Sequence, residues 1–190
     1  MKKQHFKNFW LWLIGVVVLL LLLPIAIHQF NLIQYPQKYQ QSIERWAAEY
    51  DIDPQILYAV IKTESGFNPN AVSDVGARGL MQITEETFAW IKLKAAPNEE
   101  ISFEDLYDAD TNIRFGAYFI DRCLERYNGD LATAAAAYHS GWGTVDQLLE
   151  DPAYTADGFV LTEYPFPHMN RYVYKITHNY KKYLTLYGEQ

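Results

Sequence analysis

One apolar stretch near the beginning of the chain limits its architecture more than any other feature. Residues 9–27 have the sequence FWLWLIGVVVLLLLLPIAI, which is nineteen residues without a charged side chain. About 20 such residues are needed for a helix to cross a lipid bilayer. The stretch therefore predicts one membrane-spanning helix, and the rest of the 190-residue chain suits one folded domain.

The charges around this stretch predict its orientation. Lys2, Lys3 and Lys7 precede it, and positive residues favour the cytoplasmic side. We expect residues 1–8 in the cytoplasm, 9–28 as an uncleaved, single-pass signal anchor in the cell membrane, 29–37 as a linker, and 38–190 as an extracytoplasmic folded domain. The alternative is a cleaved signal peptide, but the apolar stretch is long for one and no small-x-small cleavage site follows it.

Charge and composition narrow the classes of partner and cofactor. The formal net charge of −7 argues against nucleic acid, because a protein that follows phosphates needs a basic surface. Cys123 is the single cysteine, so no intrachain disulfide forms, and we expect a buried thiol. The histidines are scattered and no dinucleotide or phosphate motif is present, so no metal site and no cofactor are predicted.

An acidic residue ends the first apolar helix of the soluble part. Asp53-Pro54 is a helix-start signal, and the apolar side chains after it recur at helical spacing up to Glu64. Desolvation and the negative end of the helix dipole both raise the pKa of a glutamate there. A raised pKa suits a general acid that must hold its proton near neutral pH. The alternative is a Glu64 that points into water at a frayed helix end.

The residues after Glu64 form a specific motif. The chain continues with Glu64-Ser65, Ala71-x-Ser73, Gly76-Ala77 and Gly79-Leu80-Met81-Gln82-Ile83. This run resembles the catalytic domain of the soluble lytic transglycosylases. The resemblance implies an all-α, lysozyme-like fold of the goose-type lysozyme and lytic transglycosylase class, spanning about residues 35–187 behind the membrane helix.

The same resemblance implies roles for residues of the motif. Glu64 would be the catalytic residue, and Ser65 would help to hold it or the substrate. Met81 and Gln82 would line the cleft and touch the substrate. A lone methionine is more often a core residue, but its place in the motif favours the cleft.

Two later segments also resemble the family. Residues 137–143, AYHSGWG, stand where the family has Ala-Tyr-Asn-Ala-Gly-Pro-Gly. Tyr138 would direct its hydroxyl at the catalytic acid, and His139 replaces the asparagine in the substrate-binding set. His139 either fills the structural place of that asparagine or adds a pH response. Tyr172 matches a cleft tyrosine, and His168 stands where several relatives carry a glutamate.

The reaction implied by the resemblance uses one carboxyl group. Glu64 would protonate the glycosidic oxygen between N-acetylmuramic acid and N-acetylglucosamine in peptidoglycan strands, then accept a proton from the C6 hydroxyl, leaving a 1,6-anhydro end. Glycoside hydrolysis ordinarily needs two carboxylates, and Asp74 is the only further candidate near the motif. The alternatives are a hydrolytic muramidase on the same fold and a non-catalytic wall-binding scaffold with unknown cell-wall partners.

Overall fold

A computed structural model describes residues 2–188 and divides them into two units at the bond between Pro36 and Gln37. Met1, Glu189 and Gln190 lie outside the described residues, so the ends of the predicted segments 1–8 and 38–190 do too. The side chains of Lys2, Lys3 and Lys7, on which the predicted orientation depends, also lie outside that description.

The first unit is a single long helix, α1 (Lys2–Gln34). Its part from Trp10 to Gln34 is long and apolar enough to cross a membrane, and none of it is buried by protein. Residues 29–34 belong to the same helix, so the predicted linker is helical over most of its length. The helix ends just before Pro36, because the residue that precedes a proline disfavours the α conformation.

The second unit is built from helices, as the sequence predicts. It contains α2 (Gln40–Glu49), α3 (Pro54–Glu64), α4 (Glu85–Ala95), a 3-10 helix (Phe103–Tyr107), α5 (Ala109–Arg126), α6 (Leu131–Ser140), α7 (Trp142–Leu149) and α8 (Pro167–Tyr187). Between residues 2 and 188 the only β-type pairing consists of isolated bridges.

Capping side chains fix where these helices begin. The Asp53 carboxylate accepts a hydrogen bond from the Gln55 amide at 2.9 Å, and Pro54 is the first residue of α3. Thr84 caps α4 by accepting from the Thr87 amide at 3.2 Å. Such caps satisfy amide groups that have no partner within the helix. The predicted start of α3 is thereby confirmed, and with it the direction in which α3 delivers Glu64.

Small side chains bring the central helices close together. Residues 134–137 of α6 are four alanines, each at most 1% exposed. Because alanine has only a methyl side chain, α5 and α8 can both approach α6 closely, and α8 also packs along α3. The carboxyl end of α3, where Glu64 lies, therefore faces α8.

The loop between α3 and α4 is held by one buried amide. Asn112 of α5 accepts a hydrogen bond from the Met81 amide at 2.8 Å and donates to the carbonyls of Arg78 and Leu106 at 3.0 and 2.9 Å. Gly79 lies against this amide with φ +77°, and a Cβ there would come within 2.0 Å of Asn112 Nδ2. Only glycine fits this position, so the Gly-Leu-Met-Gln segment is fixed in place beside Glu64.

Candidate active site

Glu64 occupies the last position of α3, and Tyr172 of α8 donates a hydrogen bond from its hydroxyl to Glu64 Oε1. Burial raises the pKa of Glu64 from its ordinary 4.5 to about 7, against the smaller lowering effects of the Tyr172 hydrogen bond and the Lys175 charge. The direction of this shift agrees with the sequence expectation, and the alternative of a solvated helix end is wrong. A carboxyl group with such a pKa can both give and take a proton at neutral pH.

The carboxyl group of Glu64 opens onto a polar cavity. The residues that line it are Thr63, Glu64, His139, His168, Arg171, Tyr172 and Lys175. Glu64 is the one carboxylate in this lining. The cavity thus brings together three of the residues selected from the sequence, Glu64, His139 and Tyr172.

Tyr138 has a different partner from the expected one. Its hydroxyl donates to the Met81 carbonyl oxygen at 2.8 Å rather than to Glu64. Burial and, after it, the nearby Glu64 charge raise the pKa of Tyr138, so the two side chains interact electrostatically. The side chain that donates a hydrogen bond to Glu64 is Tyr172, for which the sequence predicts only a position in the cleft.

Ser65 contacts the loop rather than the carboxyl group. Its Oγ donates to the Leu80 carbonyl oxygen at 2.8 Å and to the Ile61 carbonyl oxygen at 3.2 Å. These bonds tie the end of α3 to the Gly-Leu-Met-Gln segment. Ser65 therefore supports the position of Glu64 through the backbone.

Met81 is a core residue, and its interpretation as a cleft side chain is wrong. It has no exposed surface. Its sulfur packs on Gly116 of α5, where an added Cβ would lie 2.2 Å from Sδ. Met81 contributes to the site through its main-chain carbonyl oxygen, which accepts the hydrogen bond from the Tyr138 hydroxyl.

Gln82 is half-buried and adopts a left-handed backbone conformation with φ 50°. Its Nε2 donates to the carbonyl oxygens of Ala71 and Gly79 at 3.1 and 3.0 Å. The side chain also lines a small cavity next to Tyr138. The structure gives Gln82 a loop-bracing role, and its contact with substrate stays a prediction.

His139 lies with its ring stacked on Tyr172, at 4.4 Å between ring centroids and an angle of 11°. The His168 ring is 5.7 Å away. Burial and the neighbouring His168 lower the pKa of His139, which favours the neutral imidazole at neutral pH. His139 therefore packs on the aromatic partner of Glu64 at the wall of the cavity.

Sequence reasoning did not select Arg171 and Lys175, although both line the cavity. Their spacing in the sequence could have indicated that they share one helix face. Together with His168 they stand at positions i, i+3 and i+7 of α8, which is the spacing of one helix face. Tyr172 lies on the same side of α8.

The part of the chain that the structure describes contains no cluster of three His, Cys, Asp or Glu side chains able to hold a metal ion.

The thiol of Cys123 is buried, as predicted. Trp142 Nε1 donates a hydrogen bond to its Sγ at 3.1 Å, and burial raises the pKa of the thiol to about 12. The thiol is thus protonated and unreactive at neutral pH.

Comparison with known proteins decides the family. The sequence model described as "Transglycosylase SLT domain" matches residues 41–156, more than half of the chain. The chain belongs to this family. Glu64, Ser65 and the Gly-Leu-Met-Gln segment all lie within the matched residues, as does Tyr138.

Two similar proteins are named transglycosylases. The transglycosylase of Enterobacteria phage PRD1 is 37% identical over 108 residues, which cover 54% of this chain and 37% of the phage protein. Membrane-bound lytic murein transglycosylase C of Yersinia pestis is 28% identical over 170 residues, which cover 77% of this chain and 47% of that protein. The chain thus spans less than half the length of these relatives.

Solved structures confirm the predicted lytic transglycosylase fold. The 70-kDa soluble lytic transglycosylase of Escherichia coli matches with a TM-score of 0.75 and 26% identity, over 84% of this chain and 26% of that one. An inactive mutant of the lytic transglycosylase Slt of Pseudomonas aeruginosa matches with a TM-score of 0.73 and 28% identity, over the same shares.

Proposed function

We propose that this chain is a peptidoglycan lytic transglycosylase in which Glu64 is the single acid and base. Membership of the SLT family and relatives named lytic murein transglycosylases support this function. The observation that carries the proposal is the Glu64 carboxyl group itself. It lies in a cavity, accepts a hydrogen bond from Tyr172 and has a pKa of about 7.

The chemistry begins with the protonated form of Glu64. The carboxyl group gives its proton to the glycosidic oxygen between N-acetylmuramic acid and N-acetylglucosamine. The bond from C1 of the muramic residue to that oxygen then breaks, and the N-acetylglucosamine end leaves with a free hydroxyl. The muramoyl N-acetyl group stabilises the positive charge that develops at C1.

The second half of the reaction returns the proton. The C6 hydroxyl of the same muramic residue attacks C1, and the Glu64 carboxylate accepts the proton that this hydroxyl releases. The product is a 1,6-anhydromuramoyl end, and no water is consumed. Tyr172 stabilises the carboxylate between the two steps, because its hydroxyl donates to the charged form of Glu64.

The main alternative is a muramidase, which would use water in place of the C6 hydroxyl. Glycoside hydrolysis ordinarily uses two carboxylates about the scissile bond. Asp74, the further candidate from the sequence, is exposed and does not line the cavity of Glu64. The cavity as described therefore favours the lytic reaction.

We also propose that α1 anchors the enzyme in the cell membrane, with the catalytic domain on the extracytoplasmic side. The segment Trp10–Gln34 of α1 is 25 residues long and apolar enough to span a membrane, and a relative is named membrane-bound. Peptidoglycan lies outside the membrane, so this orientation places the enzyme on the side of its substrate.

A comparison of two glutamate variants tests the enzymatic proposal. The full chain in detergent is incubated with purified peptidoglycan, and release of soluble fragments is measured. Glu64→Gln should lower the rate at least about a thousandfold, because proton transfer and charge stabilisation are both lost. Glu85→Gln, an exposed change in the first turn of α4, is the matched control and should keep the wild-type rate.

The same experiment separates the enzyme from the scaffold. Each protein is also sedimented with the insoluble wall. Fragment release that is unaffected by Glu64→Gln would contradict the assigned role of Glu64. Binding to the wall without release by any form would support the non-catalytic scaffold.

A further inference from the structure

Two histidines, one arginine and one lysine line the cavity that contains Glu64. We name His139, His168, Arg171 and Lys175 the basic rim. All four are exposed and line the cavity together with Glu64 and Tyr172. The reaction proposed above uses none of them as a proton donor or acceptor.

The basic rim is formed by residues of two helices, α6 and α8. His168, Arg171 and Lys175 stand on one face of α8, and His139 comes from the end of α6 and stacks on Tyr172. The His139 and His168 ring centroids are 5.7 Å apart, and the Phe166 ring stacks on His168 at 5.8 Å. Both imidazoles that line the cavity are thus in contact with neighbouring rings.

Within residues 2–188, the Arg171 and Lys175 side chains form no ion pair. Ion pairs within residues 2–188 involve Arg45, Arg78, Arg114, Arg122 and Arg126. Arg171 and Lys175 make no ion pair there, in a chain whose formal net charge is −7. The Lys175 charge lowers the pKa of Glu64, but by less than burial raises it.

The helix that carries most of the rim adds to its positive potential. The first turn of α8 contains no acidic residue, and Phe166, at its N-cap, makes no side-chain cap. The amino end of a helix carries a partial positive charge. His168, the second residue of α8, therefore stands where the helix dipole also favours an anion.

We propose that the basic rim binds a carboxylate of the glycan strand while the scissile bond lies at Glu64. This inference rests on the proposed function for the identity of the strand. A muramic residue carries a lactyl group, whose carboxylate is free in peptide-free strands. Where a peptide is attached to that group, the peptide supplies carboxylates of its own.

Arginine is the member of the rim best suited to this task. Its planar guanidinium donates two parallel hydrogen bonds to a carboxylate, and it remains charged at every relevant pH. Lys175 supplies a second charge one turn further along α8. The rim would thus orient the strand by its acidic substituent and distinguish muramic residues from neutral sugars.

Binding without turnover tests the inference. The full chain carrying Glu64→Gln is titrated by calorimetry with peptidoglycan tetrasaccharides, peptide-free and peptide-bearing, each with its carboxylates free or amidated. We expect Arg171→Gln to weaken the binding of a free-carboxylate ligand about tenfold, which is the loss expected for one charge-assisted hydrogen bond. The amidated form of the same ligand should bind both proteins equally.

Two variants serve as controls. Lys181→Gln removes the same charge from an exposed site of α8 outside the cavity and should leave all dissociation constants unchanged. Arg171→Lys keeps the charge and should recover part of the affinity. The ligand in which amidation abolishes the effect of Arg171→Gln identifies the source as lactyl or peptide.

Two results would overturn the inference. One is an equal loss of affinity for free and amidated ligands, which would mean a structural role for Arg171. The other is no loss with either ligand. If the active enzyme releases no anhydro product while the carboxylate-dependent binding persists, the proposed function fails and the basic rim stands.

Discussion

Three effects, not all of the same sign, act on the pKa of Glu64. Burial favours the neutral carboxyl group, whereas the Tyr172 hydroxyl and the Lys175 ammonium favour the carboxylate. Burial is the largest of the three, so the pKa stands near 7 rather than near 4.5. An acid that must next become a base benefits from this balance, because neither protonation state is costly at neutral pH.

The balance predicts the pH dependence of the enzyme. The first step needs protonated Glu64, so kcat/KM should fall as the pH rises through about 7. Tyr172→Phe removes a hydrogen bond to the carboxylate, so the pKa should rise further and the alkaline limb should move up by about 0.5–1 pH unit. The measurement is kcat/KM between pH 5 and 9.

A neighbouring tyrosine gives the control for this profile. Tyr174 is on α8 but exposed, so Tyr174→Phe should leave the alkaline limb in place. An unchanged or downward-shifted limb in Tyr172→Phe would contradict the assigned contact between Tyr172 and Glu64.

The same pKa predicts a cost in stability. The pKa of Glu64 is higher in the folded state than its ordinary 4.5, so its contribution is fully present below pH 4.5 and is lost as the pH rises through about 7. Glu64→Gln stays neutral, so at pH 8 it should be more stable than wild type by about 2–3 kcal/mol. At pH 4 the free energies of unfolding should nearly coincide.

Urea unfolding of the full chain in detergent at the two pH values measures this difference. Glu85→Gln provides the control, since Glu85 is exposed. A stability gain of Glu64→Gln that does not depend on pH would show that the carboxyl group is not buried in the neutral form.

At the level of structural elements, the loop between α3 and α4 depends on its contact with α5. The Met81 side chain fills the space beside Gly116, and Asn112, one turn earlier on α5, binds the Met81 amide. Together these contacts fix the Met81 carbonyl that accepts the hydrogen bond from Tyr138. A change on α5 should therefore disturb a loop that supports the active site.

Gly116→Ala should destabilise the protein by about 2–3 kcal/mol and lower its activity, because the added Cβ would overlap the Met81 sulfur. Gly143→Ala is the matched control. Gly143 lies in α7 with no atom within 4 Å of an added Cβ, so this change should be neutral or slightly stabilising. Chemical denaturation and the peptidoglycan assay measure both effects, and a Gly116→Ala protein as stable as wild type would contradict the packing.

Features set by neighbouring residues could be predicted from the sequence, whereas contacts between distant residues could not. The Asp53-Pro54 start of α3 depends on neighbouring residues, and the sequence predicts it. The sequence also predicts the direction of the Glu64 pKa shift. The cleft position predicted for the Met81 side chain is wrong, because Gly116, on which its sulfur packs, belongs to another helix. The hydrogen bond between Tyr172 and Glu64 spans 108 residues, and only the packing of α8 on α3 reveals it.

At the level of the whole molecule, we expect α1 to remain as an uncleaved anchor. The 190-residue chain expressed in a bacterium should stay in the membrane fraction after carbonate extraction, because the 25-residue segment Trp10–Gln34 is apolar enough to span a membrane. The intact mass should be 22.1 kDa. A soluble product that lacks about the first 30 residues would instead mean a cleaved signal peptide.

A control variant tests whether α1 causes the retention. Leu19→Lys with Leu21→Lys places two charges near the centre of the apolar stretch, at a cost of about 2.5–3.5 kcal/mol each in a membrane. This variant should lose its resistance to carbonate extraction. Leu19→Ile with Leu21→Ile should keep it.

The lytic reaction through Glu64 is tested most directly by the origin of the oxygen at the new glycan end. Peptidoglycan is digested by the full chain in water enriched in oxygen-18, and the released fragments are weighed by mass spectrometry. We expect 1,6-anhydro ends, lighter by one water than reducing ends and free of the heavy isotope, and none with Glu64→Gln. Reducing ends formed in their place, each carrying one heavy oxygen, would mean that water attacks C1 and that the proposed lytic reaction is wrong.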